Sequence, residues 1–288
     1  MSRGIDVSHH NGVIDWKAVK ASGIEFAIIR AGYGQTNDRN FKANIEGAQA
    51  AGLPVGVYYF SYATNILKAA EEGTHCCELL AKYKIDLPVF YDFEYETELY
   101  GARYGVTYTK ELRTAIIKAF CERVRAGGYT PGIYTNVDYI VSRLYWGELS
   151  AYPLWLAQWP LGTGKSITFE SVREDSVNTK YGKPSFWQFG FGKVPGIPTD
   201  TDLNFGYIPL PKRQNDAPAD DIKPGDKVRV VNTTTSGNLK RAKLYGSDKT
   251  FVVYYDTYDV IERKGDRVVI GIGKAVTAAV DIRDLRKI

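Results

Sequence analysis

The stretch Leu87-Pro88-Val89-Phe90-Tyr91-Asp92-Phe93-Glu94-Tyr95 is an almost continuous apolar run with two carboxylates near its end. A short run of this kind marks a strand covered on both faces. Side chains alternate across a strand, so Asp92 and Glu94 are expected on one face, with Cα atoms roughly 6.5 Å apart. Tyr91, Phe93 and Tyr95 then face the other way. Two acids on one face in apolar surroundings resist joint ionisation, so one should hold its proton to higher pH, as a general acid must. Taken alone, an Asp-x-Glu pair can also be a strand end with two solvated carboxylates.

Similar runs recur on both sides of this one. Gly4–Ser8, Phe26–Gly32, Pro54–Ala63, Leu87–Tyr95, Pro131–Asn136, Leu154–Trp159, Ser185–Gly190 and Thr201–Phe205 make eight predicted strands. Helical patterns lie at Asp15–Ser22, Asn40–Ala51, Ile66–Lys84, Lys110–Ala126 and Asp138–Trp146. Apolar strands alternating with helices indicate a parallel sheet covered by helices. Eight of them in one run predict an α/β fold closed as an irregular barrel, with about five helices. In a closed barrel the first and eighth strands are neighbours, which would bring Asp6 and Asp202 beside the Asp92–Glu94 pair. Asn204 lies two beyond Asp202 on the same face. Tyr59, Tyr62, Tyr134, Trp155, Trp159, Gln158 and Gln188 add rings and amides to the set. Acids to cleave, rings to stack and amides to bond hydroxyls together indicate a carbohydrate site. Each ring taken singly is as well suited to core packing.

The 288 residues exceed one typical domain. Residues 1–210 are read as the barrel, 211–223 as a linker rich in Pro, Asp and Ala, and 224–288 as a small all-β domain. Its predicted strands are Lys227–Val231, Thr250–Asp256, Tyr258–Arg263, Arg267–Ile272 and Val276–Val280, with a tight turn at Lys264-Gly265-Asp266. From Lys212 onward there are 16 Lys and Arg against 11 Asp and Glu, a net of +5, which leaves −1 for the remainder. The N-terminus shows no secretory signal, and no apolar run reaches membrane-spanning length. The three cysteines, Cys76, Cys77 and Cys121, have no disulfide or zinc spacing. His75-Cys76-Cys77 falls in a helical pattern without partner ligands. No dinucleotide or Walker signature is present, and His9, His10 and His75 are too few for most metal hydrolases. No metal, cofactor, nucleic acid or membrane insertion is expected.

Gly4-Ile5-Asp6-Val7-Ser8, Asn11-Gly12, Ile14-Asp15-Trp16, Tyr91-Asp92-Phe93-Glu94, Gly132-Ile133-Tyr134-Thr135, Trp155-Leu156-Ala157-Gln158-Trp159, Trp187-Gln188-Phe189 and Asp202-Leu203-Asn204 together resemble the lysozymes of glycoside hydrolase family 25. The resemblance implies an irregular eight-stranded barrel that hydrolyses the β-1,4 bond from N-acetylmuramic acid to N-acetylglucosamine. It implies Glu94 as general acid and Asp92 as the group that stabilises or orients the reacting centre. Asp6 and Asp202 would shape the charge and position the sugar, and Tyr134 and Trp155 would flank the saccharide. Tyr59, Tyr62 and Gln188 complete the expected substrate site. His9 and His10 receive no role. Lys223–Ile288 resembles a bacterial SH3-like wall-binding domain, mainly through Gly265-Asp266-Arg267-Val268-Val269-Ile270-Gly271. The expected partners are peptidoglycan glycan strands and, through the C-terminal domain, a wall polymer. That domain can alternatively pack on the enzyme or assemble it into an oligomer. An endolysin held in the host cytoplasm until lysis and then acting on the wall is the leading reading. A bacterial autolysin and a catalytically silent wall-binding protein are the alternatives.

Overall fold

The computed structural model describes residues 1–162, 164–211, 222–231, 233–236 and 239–288. Most of the expected linker lies outside the described residues. The chain divides into two compact units, residues 1–211 and 212–288.

The first unit is a barrel. Its strands are β1 (Ser2–Val7), β2 (Phe26–Tyr33), a short β3 (Thr36–Asn37), β4 (Val55–Phe60), β5 (Val89–Asp92), β6 (Pro131–Asn136), β7 (Leu154–Ala157), β8 (Phe186–Gly192) and β9 (Thr201–Gly206). The sheet runs β1-β9-β8-β7-β6-β5-β4-β2, with β3 on the outer edge of β2, and parallel pairing of β1 with β2 closes it. Eight strands therefore form the barrel, as the apolar runs predicted. The expectation of an all-parallel sheet is corrected, because β9 runs antiparallel to both β8 and β1. Only a short connection separates β8 from β9, too short for the crossover that parallel pairing requires.

Helices α1 (Trp16–Ala21), α2 (Phe41–Ala50), α3 (Ile66–Leu80), α4 (Tyr95–Ala102), α5 (Lys110–Ala126) and α6 (Trp146–Leu149) cover the sheet, with a π-helical turn at Tyr139–Arg143. The helix α4 was not anticipated. Strand β5 ends at Asp92, and Glu94 is the residue that precedes α4. The strand predicted to reach Tyr95 is thus three residues too long, and Tyr95 is an exposed helical residue instead. His75, Cys76 and Cys77 lie in α3, as expected for helix packing.

Outward-facing residues such as Tyr59 and Tyr91 meet Phe120 of α5 and, with Phe93, fill the layer between sheet and helices. Phe26, Ile28, Leu87, Phe90, Trp155 and Phe186 fill the barrel interior. The interior rings need glycines on adjoining strands: a Cβ on Gly4 would stand 2.2 Å from the Phe26 ring, and one on Gly132 would stand 2.6 Å from Phe90. The large rings plug the lower barrel and leave the acids at its mouth. Truncating such a ring to Ala costs about 3–5 kcal/mol.

The second unit is all β. Its strands are β10 (Lys227–Val230), β11 (Thr234–Ser236), β12 (Leu239–Lys243), β13 (Thr250–Val252), β14 (Tyr258–Lys264), β15 (Arg267–Ile272), β16 (Ala275–Asp281) and β17 (Leu285–Lys287). They form a five-stranded sheet, β16-β15-β14-β10-β17, and a three-stranded sheet, β11-β12-β13. The turn predicted at Lys264-Gly265-Asp266 joins β14 to β15, and Gly265 supplies its positive φ of 60°. Three short strands, β11, β12 and β17, were not anticipated.

Candidate active site

Strands β1, β5, β6, β7 and β8 open toward one mouth with their C-terminal ends. Because β9 is reversed, its N-terminal end arrives at the same mouth. Asp6 and Asp202 are therefore register partners across the β1–β9 ladder. In the row of parallel partners that runs around the rim, Asp92 stands between Phe60 and Tyr134, and Tyr134 pairs with Trp155.

Asp6 is buried and accepts hydrogen bonds at Oδ2 from Asn204 Nδ2 at 2.7 Å and Gln188 Nε2 at 3.1 Å. Both amides are oriented from behind. Trp155 Nε1–H donates to Asn204 Oδ1 at 2.8 Å. Tyr134 Oη–H and Trp159 Nε1–H donate to Gln188 Oε1 at 3.0 and 3.2 Å. Those donors occupy the amide oxygens, so the NH2 groups are left to face Asp6. Burial pushes Asp6 up, the two amides pull it down, and its pKa settles at about 6.

Burial raises the other acids as well. Asp202 is pushed up to about 9 by burial, by the Asp6 charge and by its hydrogen bond with Asp6. It is thus the protonated partner, donating to the Asp6 carboxylate. Asp92 is raised well above the usual carboxylate range by burial and by the charges of Glu94 and Asp6. Its Oδ1 is buried without a hydrogen-bond partner among the described residues. Glu94 is raised to about 7 by burial, then by Glu96 and Asp6. Its backbone N–H donates to Thr97 Oγ1 at 3.3 Å, and the Thr97 hydroxyl donates to the Ser61 carbonyl at 2.8 Å. The buried Thr97 thereby ties the start of α4 to the end of β4. A raised carboxyl is not in itself a site. Glu72, also raised to about 7 by burial, accepts from the Tyr91 hydroxyl and the Tyr62 backbone N–H in the helix layer, outside the cluster of four acids.

The structure thus brings Asp6, Asp92, Glu94 and Asp202 together with Tyr134, Trp155 and Gln188. It does not bring Tyr59. That side chain is fully buried on the outer face, packed on Phe120 and His75, with its hydroxyl on the Gly34 carbonyl. The expectation was one residue out of phase, and a one-residue shift along a strand moves a side chain to the other face. Tyr58, in register with the interior Phe90, is the inward residue. Its phenol feels the charges of Asp6, Asp92 and Asp202. Gln158 is also turned away, its Oε1 accepting from the Asn178 N–H at 2.9 Å. Trp155 is 1% exposed, so it is the floor that orients Asn204 rather than an open flanking ring. Tyr62 lies at the rim, among Tyr33, Phe60 and Tyr100.

Arg30 was missed by the sequence reading. It pairs in register with Tyr58, and its Nε lies 2.8 Å from Oδ2 of the buried Asp38. His9 Nδ1 lies 2.8 Å from the same oxygen, so His9 has a structural place at the rim. Burial would raise Asp38, but the hydrogen bonds from His9, Asn40 and Arg30 outweigh it and hold the carboxyl below its usual range. The Arg30 charge opposes the rise of Asp92. The signal available in sequence was a single cation in an otherwise apolar strand.

The family model for glycosyl hydrolases family 25 matches residues 5–197. The chain belongs to glycosyl hydrolase family 25. Among curated relatives, lysozyme M1 of Streptomyces globisporus is 30% identical over 70% of this chain and 66% of its own length. The chain thus spans slightly less than two thirds of that relative. The crystal structure of a bacterial lysozyme from Streptomyces coelicolor is 26% identical, with a TM-score of 0.55, covering 72% of this chain and 92% of that one. The CTP1L endolysin, whose activity is regulated by a secondary translation product, is 25% identical with a TM-score of 0.55, covering 72% of this chain and 66% of its own. These matches agree with the family and the irregular barrel.

Proposed function

We propose that this family 25 barrel is a muramidase, hydrolysing the β-1,4 bond from N-acetylmuramic acid to N-acetylglucosamine in bacterial peptidoglycan. The observation that carries the reading is the convergence of four carboxyls at one mouth, with Glu94 holding a proton up to about 7. Glu94 protonates the leaving glycosidic oxygen. Asp92, with a buried oxygen that has no hydrogen-bond partner among the described residues, orients the substrate at the reacting carbon. Asp6, ionised and fixed by Asn204 and Gln188, supplies the negative charge that stabilises an oxocarbenium-like transition state. Asp202 holds the shared proton and positions Asp6. Tyr58 and Tyr134 line the mouth beside the acids.

We read the second unit, by its resemblance to SH3-like domains, as a wall-binding module. Its net charge of +5 supports attraction to anionic wall polymers. Tyr254 and Tyr255 are exposed, and their backbone N–H groups donate to the hydroxyl of the buried Tyr258, which holds the loop that carries them. Phe251 packs against the small core. No helix among the described residues is long and apolar enough to cross a membrane. The likeness to an endolysin supports a lytic enzyme that acts on the wall, and we read it as held in the host cytoplasm until lysis. The autolysin reading shares the same chemistry.

Mass spectrometry of fragments released from purified walls tests the activity. Fragments ending in reducing muramic acid are expected. Released stem peptides with intact glycan would overturn the reading.

A further inference from the structure

Four tyrosine rings form a chain that leaves the mouth toward the C-terminal end of α4. Tyr33 pairs in register with Phe60, and Phe60 with Asp92, so the chain starts on the rim row of the acids. From Tyr33 to Tyr62 the ring centroids are 6.1 Å apart, from Tyr62 to Tyr100 4.6 Å, and from Tyr100 to Tyr104 5.0 Å. Tyr104 is 67% exposed, as is the neighbouring Leu99 at 64%. Tyr33, Tyr62 and Tyr100 are half-buried. The inner end of the chain is held in place. The Tyr62 backbone N–H donates to the buried Glu72 carboxylate at 2.8 Å, and the missing side chain of Gly34 leaves room for the Tyr62 ring. The Arg30 guanidinium lies 5.4 Å from the Tyr33 ring centroid.

Core packing does not call for the outer end of this row, because Tyr104 buries little. The rings meet edge-on from Tyr33 to Tyr62 and tilted from Tyr62 to Tyr100 and Tyr104. The row therefore mixes ring surface with hydroxyl edges, which suits a chain of sugars that offers C–H faces and hydroxyls alternately. We propose that Tyr33, Tyr62, Tyr100 and Tyr104 form an extended track for the glycan strand, beyond the sugars flanking the scissile bond. The occupant is the same strand that enters the mouth, since the track is continuous with the rim row of Asp92. The inference rests on the muramidase reading and deepens it: the enzyme prefers long glycan strands. The helix α4, which starts beside Glu94, carries Tyr100 and leads to Tyr104, so the general acid and the outer track share one element.

The test is the full chain carrying Tyr100→Ala with Tyr104→Ala, assayed on long peptide-free glycan strands and on a tetrasaccharide of the same repeat. KM for long strands should rise about tenfold, with kcat retained and tetrasaccharide hydrolysis unchanged. The single Tyr104→Ser variant, at a position already exposed, should show part of the same rise with an unaltered Tm. Equal losses on both substrates, or no change on the long one, would overturn the track. Wild-type protein that cleaves neither substrate would remove the muramidase reading, and the track with it.

Discussion

Asp6 and Asp202 face each other across the antiparallel β1–β9 ladder and share one proton, which Asp202 holds up to about 9 and Asp6 only to about 6. The asymmetry has a visible cause. Asp6 accepts from two pre-oriented amides that favour its charge, whereas Asp202 meets the Asp6 charge. At neutral pH one member is therefore a fixed anion and the other a neutral donor.

This pairing sets a stability prediction. A carboxyl whose folded pKa is raised binds its proton more tightly when folded, so stability falls as pH rises from the unfolded value of 3.8 toward about 9. Asp202→Asn keeps a donor toward Asp6 and removes the titration. Its Tm should exceed that of the wild type by a margin that grows between pH 4 and pH 9, by roughly 2–4 °C for each kcal/mol gained. A margin independent of pH in thermal melts would show that Asp202 is not the proton holder.

Glu94→Gln should keep the fold, with a Tm at neutral pH at or above that of the wild type because a buried carboxyl raised to about 7 is removed. It should lower wall hydrolysis by about two orders of magnitude or more. Near-normal turbidity loss would exclude Glu94 as the acid.

The basic limb of the pH–rate profile should follow Glu94, falling as pH rises through about 7. Besides burial, the groups that raise it are Glu96 and Asp6, and not Asp202, which is neutral there. Glu96→Gln removes a negative charge from the exposed first turn of α4, so the Glu94 proton leaves earlier and the limb moves to lower pH. Asp6→Asn should move it the same way with a large loss of rate, and Asp202→Asn should leave it in place. A limb that all three variants leave unmoved would mean that another group controls it.

The second unit makes a separate prediction. Residues 212–288 fused to a fluorescent protein should label susceptible cells, more weakly at high salt without loss of all binding. Residues 1–211 should hydrolyse purified walls but lyse whole cells more slowly, because the local enzyme concentration falls. A folded second unit that labels no cells lysed by the full chain would favour an assembly role.

Apolar runs such as Phe26–Gly32 and Pro131–Asn136 gave away the barrel, because a strand buried on both faces must be continuously hydrophobic. The same runs placed Asp6, Asp92, Glu94 and Asp202 near strand ends. Their chemistry was legible because four acids otherwise weaken a fold. Three features belonged to tertiary structure alone. Whether Tyr58 or Tyr59 faces inward depends on register with β2 and β5, and two adjacent tyrosines carry no parity of their own. The start of α4 at Glu94 depends on the buried Thr97 bridge to Ser61, a contact between residues far apart in sequence. The division of protons between Asp6 and Asp202 depends on amides and rings from β6, β7, β8 and β9 and on Trp159, meeting only when the barrel closes. Local pattern specified which residues are strands and which acids are suspect. Long-range contact decided which way they point and which of them keeps its proton, because burial and hydrogen bonding are properties of the assembled neighbourhood.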